Sequence, residues 1–157
     1  MEAKLTLENP TIPLGSTILV TAANGLIGSH VVDQFLAAGY RVRGTVRNAS
    51  KCAWMSALFA RRHGPGRFEL FEVADFERPG IWDAPLKGVS GLAHVLGAMD
   101  FRVQDVDAAL DEEMRIHHPL LEATKKEATV KSFILTSSAW AAYTPNASRK
   151  FQLTEWT

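Results

Sequence analysis

Between Thr17 and Thr136 the chain alternates short apolar runs with longer stretches in which apolar residues recur every three or four positions. The short runs are TILVT at 17–21, RVRGTV at 41–46, RFELFEV at 67–73, GLAHVL at 91–96 and KSFILT at 131–136. They have strand length and are rich in β-branched and aromatic residues, so each predicts a strand. Leu26, Ile27, Val31, Val32, Phe35 and Leu36 keep a helical period, and Gly39 marks its stop. Residues 50–62 predict a second helix, with Ser50 as its cap and the Gly64-Pro65-Gly66 turn behind it. A short helical piece lies within Asp75–Pro85, interrupted by Pro79 and Gly80. A long helix runs from Val103 to Glu127, with its apolar face on Val103, Val106, Leu110, Met114 and Leu121. Residues 1–15 read as a loop-like lead-in and the tail from Ala139 as loop, which leaves one domain over residues 16–157.

Strand and helix in alternation imply right-handed βαβ units and a parallel α/β sheet. A doubly wound dinucleotide-binding sheet would order its strands 3-2-1-4-5. Composition narrows the function. Of 157 residues 46% are hydrophobic, enough for a real core. Seventeen basic residues balance seventeen acidic ones, which excludes a strongly basic nucleic-acid binder and a polybasic membrane anchor. No apolar run approaches the roughly 20 residues of a membrane span, and the N-terminal MEAKLTLENPTIPLG has no apolar signal core. Cys52 is the single cysteine, so neither an internal disulfide nor a cysteine-based zinc site can form, and a cytoplasmic setting is expected.

The candidate chemistry starts at Thr21-Ala22-Ala23-Asn24-Gly25-Leu26-Ile27-Gly28, between the first strand and the first helix. A backbone that turns sharply there, approaches a pyrophosphate and packs helix against sheet needs residues without a Cβ. The helix start then offers free N–H groups and the positive end of a dipole. The same pattern also suits a tight turn with no ligand.

The run ILVTAANGLIGSHVVDQFLAAGYRVRGTVRNASK resembles the extended short-chain dehydrogenase/reductases. Within them it is most similar to the branch of dihydroflavonol reductases, cinnamoyl-CoA reductases and fungal aldehyde reductases. The likeness continues through GRFELFEVADF, GVSGLAHVLGAMDF and VKSFILTSSAWAAYTP, from Gly15 to Trp156. It implies a three-layer Rossmann fold of about five parallel strands, without the last strands and the substrate domain of longer members.

The resemblance also implies roles. Its loop is Thr-Gly-x-x-Gly-x-x-Gly; here Ala22 stands at the first glycine, and Gly25 and Gly28 are kept, with Asn24, Leu26 and Ile27 between them. Arg47 matches the arginine that selects NADP(H), with Arg43 and Lys51 nearby. A guanidinium suits a 2′-phosphate through charge-assisted, bidentate bonds. Asp75 matches the aspartate that reaches the adenine, and it could equally be a helix N-cap. Leu96 and Gly97 match the strand end beside the cofactor, and His94 reads as a core histidine. Ser138 matches the serine that hydrogen-bonds the substrate carbonyl.

The family's Tyr-x-x-x-Lys pair lies beyond that serine and is not found in these residues. Tyr40 and Tyr143 are followed at the fourth position by Gly44 and Ala147. Where relatives read Gly-Thr-x-Asn, this chain reads Ile116-His117-His118-Pro119. Pro119 predicts a kink, and His117 continues the inward period. His117 and His118 are adjacent, so they point apart and are not metal ligands of one site. No metal is expected.

Three functions follow as expectations. One is an NADP(H)-binding reductase portion acting on a small-molecule carbonyl. A second is a non-redox step such as isomerisation, cyclisation or dehydration, without need of the cofactor, using Ser138, Tyr143, His117 and Asp100. The third is a non-catalytic binding module. A homo-oligomer formed through an uncovered sheet face or edge is expected in each.

Overall fold

A computed structural model describes residues 8–97 and 105–138. Five strands are present, β1 (Thr17–Val20), β2 (Arg41–Val46), β3 (Phe68–Glu72), β4 (Gly91–His94) and β5 (Ser132–Leu135). They form one parallel sheet in the order β3-β2-β1-β4-β5. The order reverses at β1: β2 pairs on one side through Thr17 and Arg41, β4 on the other through Ile18 and Gly91. Open sheets of this kind place ligands beyond the carboxyl ends of the strands at that reversal.

Alternation along each strand feeds two cores. Ile18 and Val20 of β1 and Ala93 of β4 join Val32, Leu36, Met55 and Phe59 from helices α1 (Leu26–Ala37) and α2 (Trp54–His63). Leu19 and Leu92 face the other way, onto Trp82, which precedes α3 (Asp83–Leu86), Leu86 at its end, and Leu120 of α4 (Val106–Lys126). The buried strands therefore have apolar side chains on both faces, which is why they read as continuous runs. Gly44 of β2 is required by close packing. A Cβ there would lie 2.7 Å from the Ala23 methyl and 3.0 Å from the Phe68 ring.

Three local expectations are corrected. Ser50 does not cap α2. It opens a 3₁₀ turn, Ser50–Cys52, and α2 starts after Ala53 with no side-chain cap; Asn48 Oδ1 holds the 3₁₀ turn, accepting from Lys51 N at 2.9 Å and from Ser50 Oγ at 2.8 Å. The helical piece after β3 begins only at Asp83. Asp75 is therefore no helix cap; its carboxylate closes a turn by accepting from Glu77 N at 3.1 Å.

The third correction concerns α4. Leu110, Met114 and Leu121 were expected to face the sheet, yet they are exposed. The side chains that meet the sheet include His117 and Leu120, the latter fully buried. His117 shares the spacing of Leu110, Met114 and Leu121, as expected, and Leu120 lies round the helix from that row, so the sheet-facing side is turned toward Leu120 and takes in the row only at His117. Helical backbone continues on both sides of Pro119. Asp105 caps α4 by accepting from the N–H groups of Asp107 and Ala108. Val103, Asp100, Tyr143 and the tail from Ala139 lie outside the described residues.

Candidate functional site

The loop after β1 is tied to both neighbouring strands. Thr21 N donates to Ala93 O at 3.1 Å, Ala23 N to Thr45 O at 3.0 Å, and Gly25 N turns back to Ala22 O at 2.9 Å. Gly28 sits so close beneath this turn that a Cβ on it would lie 2.1 Å from Ala22 O. Gly25 precedes α1 in extended conformation, and no side chain caps the helix. The N–H groups of Leu26, Ile27 and Gly28 therefore head the helix without intrahelical partners.

Ala22 occupies the left-handed region at φ 50°. That conformation costs an L-residue roughly 1–2 kcal/mol. Ala22→Gly is expected to raise stability by about 0.5–1 kcal/mol, the gain being offset in part by the freer unfolded chain. Urea unfolding of the two proteins measures it; an unchanged or lower midpoint would contradict the strain.

In front of the loop lies a cleft of about 440 Å³. Ala22, Asn24 and Gly25 line it from the loop, Thr45, Val46 and Arg47 from the end of β2, and Leu96 and Gly97 from beyond β4. Val73 and Phe76 after β3, and Glu112 and Ile116 on α4, complete it. Asp75 borders an adjoining recess of about 320 Å³ that shares Phe76, Glu112 and Ile116.

Seven expected residues thus gather in this region. Gly28 is buried behind the loop. Leu26 and Ile27 turn away, 81% and 55% exposed, into an apolar hollow on the outer side of α1 with Val31 and Phe35. Lys51 is exposed in the 3₁₀ turn and does not line the cleft. Ser138 is exposed just past the end of β5.

Arg43 is no part of the cleft. Its guanidinium donates to the carbonyls of Pro85 and Lys87 at 3.1 and 2.6 Å and pairs with Glu69 at 3.2 Å. It is spent holding α3 against β2, as a cation near a helix C-terminus does.

Glu112 and Ile116 were not foreseen. They stand four apart on α4, so one turn of helix brings both to the cleft. Thr45, Val46 and Val73 lie at strand ends, where the carboxyl-end rule would have found them.

A chain of hydrogen bonds runs behind the cleft. Thr21 Oγ1 accepts from the N–H groups of Val95 and Leu96 at 2.9 and 3.1 Å and lies 2.8 Å from His94 Nδ1. His94 Nε2 is 2.6 Å from His117 Nδ1, and His117 Nε2 is 2.8 Å from a Glu113 carboxylate oxygen. Burial, with the nearby His117, pushes the His94 pKa from 6.5 down to about 4.

The unfolded chain therefore binds a proton at His94 before the folded chain does. This contribution is complete above pH 6.5 and is lost as pH falls toward 4, up to a limit on the order of 3 kcal/mol. Urea midpoints should fall between about pH 7 and pH 5 by more in wild type than in His94→Gln; equal slopes would refute the assignment.

The strand order agrees with comparison to known proteins. The profile of the NAD dependent epimerase/dehydratase family matches residues 18–156. The chain belongs to the NAD dependent epimerase/dehydratase family. Among curated relatives, this epimerase/dehydratase-family chain is 39% identical over 151 residues to the NAD-dependent epimerase/dehydratase terH of Aspergillus terreus, covering 96% of this chain and 44% of that protein. It is 39% identical over 139 residues to aldehyde reductase 2 of Sporidiobolus salmonicolor, covering 88% of this chain and 40% of that protein. Among solved structures it matches yeast methylglyoxal/isovaleraldehyde reductase Gre2 complexed with NADPH, with a TM-score of 0.65 and 26% identity. That match covers 78% of this chain and 37% of the reductase. This family member thus spans less than half the length of the relatives it matches. Its described part is a Rossmann-like α/β fold, and among the described residues no helix is long and apolar enough to cross a membrane.

Proposed function

We propose that the cleft holds NADP(H), in preference to NAD(H), and that the chain is the cofactor-binding portion of a reductase acting on an aldehyde or ketone group of a small molecule. The observation that carries this reading is that Arg47 and the glycine loop border one cleft at the sheet's switch point.

The residues fit the cofactor. Gly28 lets the loop close onto α1, and at Gly25 an added Cβ would already lie 3.2 Å from Ala22 O. The head of α1 presents donors to a pyrophosphate, and Arg47 presents its guanidinium to a 2′-phosphate. Asp75 sits toward the adenine end, Leu96 and Gly97 border the dinucleotide, and Ser138 hydrogen-bonds the substrate carbonyl. The cofactor, when bound, supplies a hydride. Two relatives support the reaction class by their names, an aldehyde reductase and a methylglyoxal/isovaleraldehyde reductase.

A non-redox step with His117 as its acid–base group is the weaker reading. Both ring nitrogens of His117 are already engaged, one by His94 and one by Glu113. The test is a titration of tryptophan fluorescence with NADPH and with NADH. NADPH is expected to bind at least about tenfold more tightly. Equal affinities, or no binding of either at millimolar concentration, would sink the reading.

We also propose that the protein self-associates. Leu110 and Met114 of α4 and Ile134 and Leu135 of β5, the edge strand among the described residues, are more than half exposed. Such surface is normally covered. Light scattering at tens of micromolar should give at least twice the 17.3 kDa chain mass; a clean monomer would refute it.

A further inference from the structure

The hydrogen-bond chain behind the cleft has a direction. Thr21 Oγ1 has two lone pairs, and the N–H groups of Val95 and Leu96 take both. Its own hydrogen therefore goes to His94 Nδ1. That makes Nδ1 an acceptor, so the neutral His94 ring carries its hydrogen on Nε2 and donates to His117 Nδ1. His117 then carries its hydrogen on Nε2 and donates to Glu113. Each tautomer is assigned by its neighbour, from Leu96 at the cleft to Glu113 on α4.

A second proton on His117 reverses this order. An imidazolium donates from both nitrogens. His117 Nδ1–H would then face His94 Nε2–H. His94 relieves the conflict by keeping one hydrogen, moved from Nε2 to Nδ1, where it points at Thr21 Oγ1. That oxygen would then have three donors for two lone pairs, and either Val95 N–H or Leu96 N–H loses its acceptor. Leu96 lines the cleft and Val95 precedes it.

The surroundings leave Glu113 as the charged partner of the pair. β1 contributes Thr21, and β5 contributes the Phe133 ring, 6.0 Å from that of His94. On α4, Glu112 and Arg115 turn to the cleft and its adjoining recess, and His118 lies near Glu122.

We propose that His94 and His117 are positioning residues of the cleft, setting its Val95–Gly97 wall through Thr21, and that a proton taken up by His117 loosens that wall and weakens cofactor binding. The effect on cofactor rests on the NADP(H) reading; the coupling of the ring to the wall does not.

The experiment is NMR of the ¹⁵N-labelled full chain between about pH 8 and pH 5.5, with NADPH titrations alongside. At the upper end both rings should show hydrogen on Nε2. As pH falls, the His117 ring and the amides of Val95 and Leu96 should shift with one midpoint, and in His117→Gln those amides should no longer follow it. NADPH has a titrating phosphate of its own, so the readout is the difference between proteins. Over this interval the wild-type Kd should rise about threefold to tenfold more than that of His117→Gln or His117→Thr.

Wild-type amides of Val95 and Leu96 that stay flat over this interval would overturn the proposal without need of any variant. So would an identical pH dependence of Kd in wild type and in a folded variant. If the amides follow His117 but NADPH binds at no pH, the coupling stands and the NADP(H) reading falls.

Discussion

Arg47→Glu is expected to weaken NADPH binding by roughly a hundredfold and to leave NADH within a few-fold of its starting affinity. The argument is one of position and charge. Arg47 follows β2 directly, is exposed, and lines the cleft beside Thr45 and Val46. A guanidinium there gains charge-assisted bonds to a phosphate, and a carboxylate in its place repels the same group. NADH has no phosphate at that position and is indifferent to both effects. The wild-type preference should also shrink as salt is raised, because the site is open to solvent. Fluorescence titrations of both cofactors against both proteins measure it. A parallel loss for NADPH and NADH would mean that Arg47 holds the loop together and does not select the cofactor. Arg43 cannot take over the role, since its guanidinium is committed to the carbonyls of Pro85 and Lys87 at the end of α3 and to Glu69.

The second large effect is on stability. Gly28→Ala is expected to cost on the order of 2–4 kcal/mol and to lower Tm by about 10 °C. The added methyl would meet Ala22 O at 2.1 Å, Ala22 C at 2.9 Å and Ala23 Cα at 3.2 Å. All three atoms are backbone, so no side chain can rotate away. Either α1 lifts from the sheet or the turn opens, and the turn is held to both neighbouring strands by Thr21 and Ala23. Either movement displaces the head of the helix, so NADPH binding should fall together with stability. A calorimetric scan showing less than about 3 °C of change would mean that the loop yields more easily than its hydrogen bonds imply.

Much of this architecture was legible in the amino-acid pattern. Each of the five apolar runs became a strand, and the glycine loop fell between the first strand and first helix because local chemistry decides both. What local pattern could not give was orientation. On α4 the row Leu110, Met114, His117 and Leu121 meets the sheet only through His117, and its three apolar members are exposed. His117 was legible from that spacing; its partner His94, twenty-three positions earlier, and the turn of the helix toward Leu120 were not. Ser50 has the residue type of a cap, but an extra 3₁₀ turn held by Asn48 separates it from α2, whose start has no side-chain cap. In the cleft, the loop residues and Arg47 were readable from spacing and resemblance. Glu112, Ile116 and Phe76 were not, because they enter from other elements once the chain has folded. Leu26 and Ile27 show the converse: adjacent to the loop in sequence, they are carried to the far side of α1 by its turn.

The contact beneath Gly44 bears on how such a sequence can drift. Ala23 is fully buried, and its methyl occupies the space that a Cβ at position 44 would need. The two positions draw on one small volume. A methyl gained at 44 is tolerated only where one is given up at 23 and the Phe68 ring shifts by a few tenths of an ångström. Two sites twenty-one residues apart therefore form a single unit of inheritance, in which each substitution is deleterious alone and acceptable in company.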